Sequence, residues 1–167
     1  MDTHYYSTAP IRPRMSVATR RLRYHVSIDM REGWLRNEYL VLFADREVQP
    51  ASTRYGIPDM LPGYQVVGLR GWDDFIVEDQ GGNVFTVPVV PCDAKHLTPY
   101  ELPVVMDELD ADDRFTGKLK WYIKPIAFGG DPGLSENLRW VSHTEHAELV
   151  RWWNAQYRAV TEAGEPN

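Results

Sequence analysis

The spacing of apolar positions changes along the chain, and each spacing predicts its own element. Near the C-terminal end Leu149, Val150, Trp153, Tyr157 and Val160 recur at helical intervals, which places them on one helix face. Ser142 stands where an N-cap belongs and Glu145 follows three residues later, the capping-box pattern. A helix is predicted over 142–162, with Gly164 and Pro166 as its stop.

The middle of the chain reads as strands. Residues 38–44 (EYLVLFA) form a short apolar run with no helical period, which suits a buried strand. Residues 64–69 (YQVVGL) are a second strand. Residues 74–78 and 84–90 form a hairpin whose connection, QGGN, puts Gly81 and Gly82 where positive φ is needed. Pro88 suits a strand end because it cannot donate to a ladder. Residues 118–128 (KLKWYIKPIAF) read as a further strand, bent or ended by Pro125. Alternation then sets Trp121 and Ile123 on one face and Lys120, Tyr122 and Lys124 on the other.

Between these elements the signals are weaker. Residues 45–55 read as a short helix or a loop, with Pro50 arguing against a long helix. Residues 57–63 (IPDMLPG) carry turn chemistry and residues 91–103 look irregular. Residues 1–15 read as a flexible arm. Residues 16–24 suggest a short helix capped by Ser16, with Val17 and Leu22 as its apolar positions. The chain is therefore expected to hold one domain over 16–167. Its class is α+β, a mostly antiparallel curved sheet of about five or six strands with helices packed on one side.

Composition adds two constraints. Aromatic residues make up 12% of the chain, with six Trp. Large aromatics serve either a core or a recognition surface. Trp121, Trp140 and Trp153 fall in predicted elements and read as core. Net charge is −6 but uneven, because residues 1–37 hold seven Arg against three acids, leaving −10 on the remainder. An acidic body argues against nucleic acid as the main partner, since phosphate binding needs a basic surface. It fits a basic protein partner through complementary steering, and solubility explains it equally well.

Candidate chemistry is sparse. The single cysteine, Cys92, excludes internal disulfides and cysteine-based zinc clusters. No apolar run reaches the ~20 residues that span a bilayer. The first sixteen residues lack the apolar core of a secretory signal. A cytoplasmic protein without membrane association is expected. His143 and His146 share a helix face but have no matching ligand pair. The acid run Asp107, Glu108, Asp110, Asp112 and Asp113 lacks the glycine and terminal glutamate of a calcium loop. FGGDPG at 128–133 lacks both the Lys-Ser/Thr of a P-loop and the spacing of a dinucleotide fold, and reads as a tight turn. There is no G-x-S-x-G elbow. No catalytic residue, metal or cofactor is expected.

Four stretches in order carry a family likeness: LPGYQVVG (61–68), DDFIVEDQGGNVFTVPVVP (73–91), KWYIKPIAFGG (120–130) and HAELVRWWN (146–154). Together they resemble the SUKH superfamily, over residues 38–158. The family's longer N-terminal helical part has no counterpart here, where an Arg-rich segment stands. The resemblance implies a small α+β binding domain, either an immunity protein that neutralises a cognate bacterial toxin or a regulatory scaffold. Such toxins are often nucleases or deaminases, and a basic toxin would suit the acidic body. No catalytic set is implied. For the toxin-facing surface the candidates are Trp72, Asp73 and Asp74 beside the hairpin, and the acids Asp107, Glu108, Asp110, Asp112 and Asp113. Core packing and solubility are their alternative roles.

Overall fold

A computed structural model describes residues 30–103 and 109–164. The predicted arm and the helix at 16–24 lie outside these residues, as do Asp107 and Glu108. The described chain runs through strand β1 (Met30–Leu35), β2 (Glu38–Phe43), helix α1 (Asp45–Tyr55), a single turn α2 (Ile57–Met60), β3 (Tyr64–Arg70), β4 (Asp74–Asp79) and β5 (Val84–Pro88). It continues with β6 (Thr98–Pro99), β7 (Leu119–Tyr122), β8 (Leu138–Val141) and helix α3 (His143–Gly164). Strands β1 to β6 form one antiparallel sheet in sequence order, and β7 and β8 form a separate two-stranded ribbon. The class is α+β, as the order of patterns implies.

Alternation within β2 builds both faces of the large sheet. Tyr39, Val41 and Phe43 point into the main core, where Ala51 and Tyr55 of α1 and Ala147 and Val150 of α3 meet them. Leu40 and Leu42 point the other way and join Ile76. Among the described residues Tyr100, Leu102 and Leu109 pack on that second face. Asp110 then bridges the outer edge of β1, exchanging two backbone hydrogen bonds of 2.8 Å with Trp34. The loop thereby pairs part of an edge that would otherwise be open.

Strand β3 carries a bulge between Val66 and Gly68, which shifts the pairing with β4. The extra residue lets Val66 and Leu69 both face the helices although they are three apart. Ser52 of α1 supports the irregular ladder: its Oγ accepts from the Val66 amide at 2.9 Å and donates to the Val48 carbonyl at 2.7 Å. Gly68 is required where β3 meets β2, because any Cβ there would collide with the Val41 carbonyl oxygen.

Of the two readings of 45–55 the short helix is the one formed, with Pro50 on its exposed side; other expectations do change. Gly82 adopts φ 82° in the β4–β5 turn, whereas Gly81 does not take positive φ. The Asp79 carboxylate holds that turn, accepting from the amides of Gly81 and Asn83 at 2.9 Å. Strand β7 ends at Tyr122, so Ile123 does not join Trp121 in the core and is 51% exposed. Trp140 is also outside the core, 39% exposed, while Trp121 is buried. The buried face of α3 comprises His143, His146, Ala147, Val150 and Asn154, and Val160 lies in solvent. Strands β1, β6 and β8 have no counterpart among the expected elements.

Candidate partner-binding surface

The turn from β3 to β4 sets Trp72 on a cluster of aromatic rings. Trp72 stacks on Tyr39 with centroids 5.3 Å apart and meets Phe115 and Trp140 edge-on at 5.3 and 5.5 Å. Trp140 stacks in turn on Phe115 at 5.2 Å. Trp34 closes the group, 6.3 Å from Trp72. Five rings from distant parts of the chain thus form one partly exposed wall. Such contacts add ~0.5–1.5 kcal/mol per pair beyond burial.

Carboxylates fix this wall from its edge. Asp112 accepts from Trp34 Nε1 at 3.1 Å and pairs with Arg114 at 2.7 Å. Those bonds, Arg114 first, hold its carboxyl well below the usual range. The Arg114 guanidinium lies 5.0 Å over the Phe115 ring. Glu32 accepts from the Tyr39 hydroxyl at 3.0 Å and from the Gly117 amide at 2.7 Å. Burial, and then the bond to Glu32, raises the Tyr39 hydroxyl. Asp110 serves the chain through its backbone bridge, and Asp113 is exposed. Of the predicted residues, Trp72 and Asp112 meet at this cluster, with Trp34 linking them, and Asp110 joins Trp34 through its backbone; Asp73 and Asp74 lie at the cleft beside it, and Asp113 is not brought to it.

A cleft of about 340 Å³ opens beside Trp72. Trp72, Asp73 and Asp74 form one wall, residues 88–91 another, and Lys120, Trp121, Tyr122, Pro125, Ile126 and Ala127 the far side. Most of the lining is apolar, and the volume sits at the small end of the range for ligand clefts. Trp72 belongs both to the cleft and to the aromatic wall, where it meets Trp140, and the β7–β8 register places Trp140 opposite the cleft residue Lys120. Neither Asp73 nor Asp74 makes a side-chain hydrogen bond or ion pair among the described residues. Partial loss of solvent raises both carboxyls; the charge of Asp73 adds to the effect at Asp74, and Lys120 opposes it at Asp73 and Arg70 at Asp74 through space. The Lys120 ammonium lies over the Tyr122 ring at 5.3 Å.

The two histidines of α3 and Cys92 face inward. His146 Nδ1 shares a hydrogen bond of 2.7 Å with the Tyr55 hydroxyl. Its Nε2 and both ring nitrogens of His143 are buried without a hydrogen-bond partner among the described residues. Burial holds His143 at about 4 and His146 at about 3. Cys92 is buried and its thiol is pushed up to about 12 by burial, which leaves it protonated near neutrality. Among the described residues no group of three or more His, Cys, Asp or Glu is placed to hold a metal, and no helix is long and apolar enough to cross a membrane.

Sequence reasoning missed the far wall of the cleft, 125–127, which is remote in sequence from Trp72. It also missed Trp152, which is 55% exposed on the outer side of α3. That residue lines a separate groove with Asp59, Glu148, Arg151 and Arg158. Compared with protein-family models, curated proteins and solved structures, the chain has no match.

Proposed function

We propose that this chain is an immunity-type binding protein that neutralises a cognate bacterial toxin by direct protein–protein contact in the cytoplasm. One observation carries the reading: an apolar cleft flanked by Asp73 and Asp74, which have no ion pair among the described residues, and walled by Trp72, which meets the exposed Trp140. Aromatic anchors beside steering charges are what a protein interface uses for affinity and for rapid encounter. The −10 charge beyond residue 37 favours a basic partner, and nucleases that act on nucleic acid are basic for the same electrostatic reason. The toxin itself is suggested by the four SUKH-like motifs. Binding over the toxin's active site would block it without any chemistry from this chain.

A regulatory scaffold is the second reading. The separate groove at Trp152 favours it, because a scaffold engages several partners where an inhibitor needs one.

Co-expression with the product of the neighbouring gene tests the choice. Toxicity of the neighbour alone, restored growth with this chain and a one-to-one complex are expected. A harmless neighbour that does not co-purify would overturn the immunity reading in favour of a scaffold.

A further inference from the structure

We propose that the cleft beside Trp72 receives one apolar side chain of a partner polypeptide, and that a Lys or Arg next to that side chain in the partner pairs with Asp73 and Asp74. The inference rests on the binding reading above and specifies the chemistry of its partner.

The floor dictates the apolar half. Val89, Trp121 and Pro125 are buried beneath the cleft, and Pro88, Pro91 and the edge of Tyr122 add apolar surface. About 340 Å³ is room for a large aliphatic or aromatic side chain. The opening is bordered by exposed Ile126 and Ala127, so a chain lying across the mouth would bury them as well. Burial of such surface returns roughly 25 cal/mol per Å² before the costs of association.

The rim dictates the basic half. Asp73 and Asp74 both line one wall, near enough for the charge of one to act on the other, and neither has an ion pair among the described residues. Seating an apolar group against them would remove water from two charges, which is costly unless a cation arrives with it. A cation on the incoming segment supplies the missing pairing. Lys120 of the opposite wall lies over Tyr122 and acts on Asp73 only through space, without an ion pair. The polarity of the cleft is therefore one-sided, with acids on the Trp72 wall and a lysine on the other, so the partner's basic residue falls toward the Trp72 wall. A second copy of this chain is disfavoured as the occupant, because residues 38–167 carry −10 and would repel their own kind.

Selection of random phage-displayed heptapeptides on the full chain tests the assignment, followed by fluorescence titration of the enriched peptide as a synthetic probe. Two variants accompany the wild type: the double substitution D73N/D74N, and A127W, which fills the mouth from an exposed position. Circular dichroism and thermal melting verify that both are folded. Enriched peptides should pair an aliphatic or aromatic residue with an adjacent Lys or Arg, and each variant should weaken the probe by about tenfold or more. Failure to enrich any peptide, enrichment of peptides without a basic residue, or equal binding to wild type and both variants would overturn the proposal. The toxin assay separates the two ideas. Rescue that persists in both variants leaves immunity standing and removes the cleft as its site. Peptide binding without any rescue by the wild type does the reverse.

Discussion

The Tyr55 hydroxyl and Nδ1 of His146 lie 2.7 Å apart inside the contact between α1 and α3. This pairing satisfies one ring nitrogen and leaves the other buried without a partner among the described residues. His143, one turn earlier, has neither nitrogen paired. Both rings are thus held neutral by the cost of burying a charge; Arg54 adds to that cost at His143, and His143 adds to it at His146.

An acid-sensitive fold follows. Ordinary histidine titrates near 6.5, whereas these two titrate at about 4 and about 3 in the folded chain. Between these limits the unfolded chain binds protons that the folded chain refuses. The contribution is fully present above about pH 6.5 and is lost as pH falls, with a slope of up to ~1.4 kcal/mol per pH unit for each histidine. Urea unfolding at a series of pH values should show this fall. His143→Leu should leave stability near neutrality unchanged or higher and cut the acid slope by roughly half.

Asn154 should be intolerant of substitution. It is 2% exposed, its Oδ1 accepts from the Cys92 amide at 2.8 Å, and its Nδ2 donates to the carbonyls of Val89 at 2.7 Å and Val150 at 2.8 Å. Asn154→Leu strands a buried amide and carbonyl, at about 1–3 kcal/mol for each unpaired group. A lower urea midpoint with an unchanged slope is the expected result.

Gly68→Ala should destabilise the chain by at least ~2 kcal/mol, because the new Cβ must push β2 away from β3. Gly82→Ala, in an open turn, should cost only the strain of a positive φ, about 1 kcal/mol. Thermal melting of the two variants side by side checks the order.

The acids of the 110–113 loop should separate by role. Asp110→Asn and Asp113→Asn should slow association with a basic partner and flatten its dependence on salt, with folding unaffected. Asp112→Asn should instead loosen the loop and the Trp34 side chain, since Asp112 is already committed to Trp34 and Arg114. Stopped-flow association at two salt concentrations, with tryptophan spectra of the free protein, distinguishes these outcomes.

How far the sequence revealed this arrangement depended on the range of the interactions. The β4–β5 hairpin was legible because alternation and a Gly-rich turn are local signals. The N-cap of α3 was equally local, and the Glu145 amide does donate to Ser142 Oγ at 3.2 Å. The Glu145 side chain, however, pairs with Arg139 rather than completing the box. The buried stripe of α3 was misread because three of its members are polar: His143, His146 and Asn154. Two adjacent valines in β3 concealed a bulge. Strand β1, with Arg31, Glu32 and Gly33 in its middle, shows no alternation and gains its place from β2. At the candidate surface, Trp72–Asp74 stood out as an aromatic beside two acids at a turn. The opposite wall, near Ile126, is assembled by folding and leaves no local trace.

The polar members of the α3 stripe have a consequence for how the chain finds its final arrangement. A helix with only aliphatic contacts can slide by one turn and lose little, since one methyl group substitutes for another. Here a slide would part His146 from Tyr55 and Asn154 from the backbone at 89–92 in the same movement. The two contacts, eight residues apart, index the helix like teeth in a keyway. Misregistered states are penalised at both ends together, so the ribbon at 119–122 and the cleft wall beside it are assembled in one alignment.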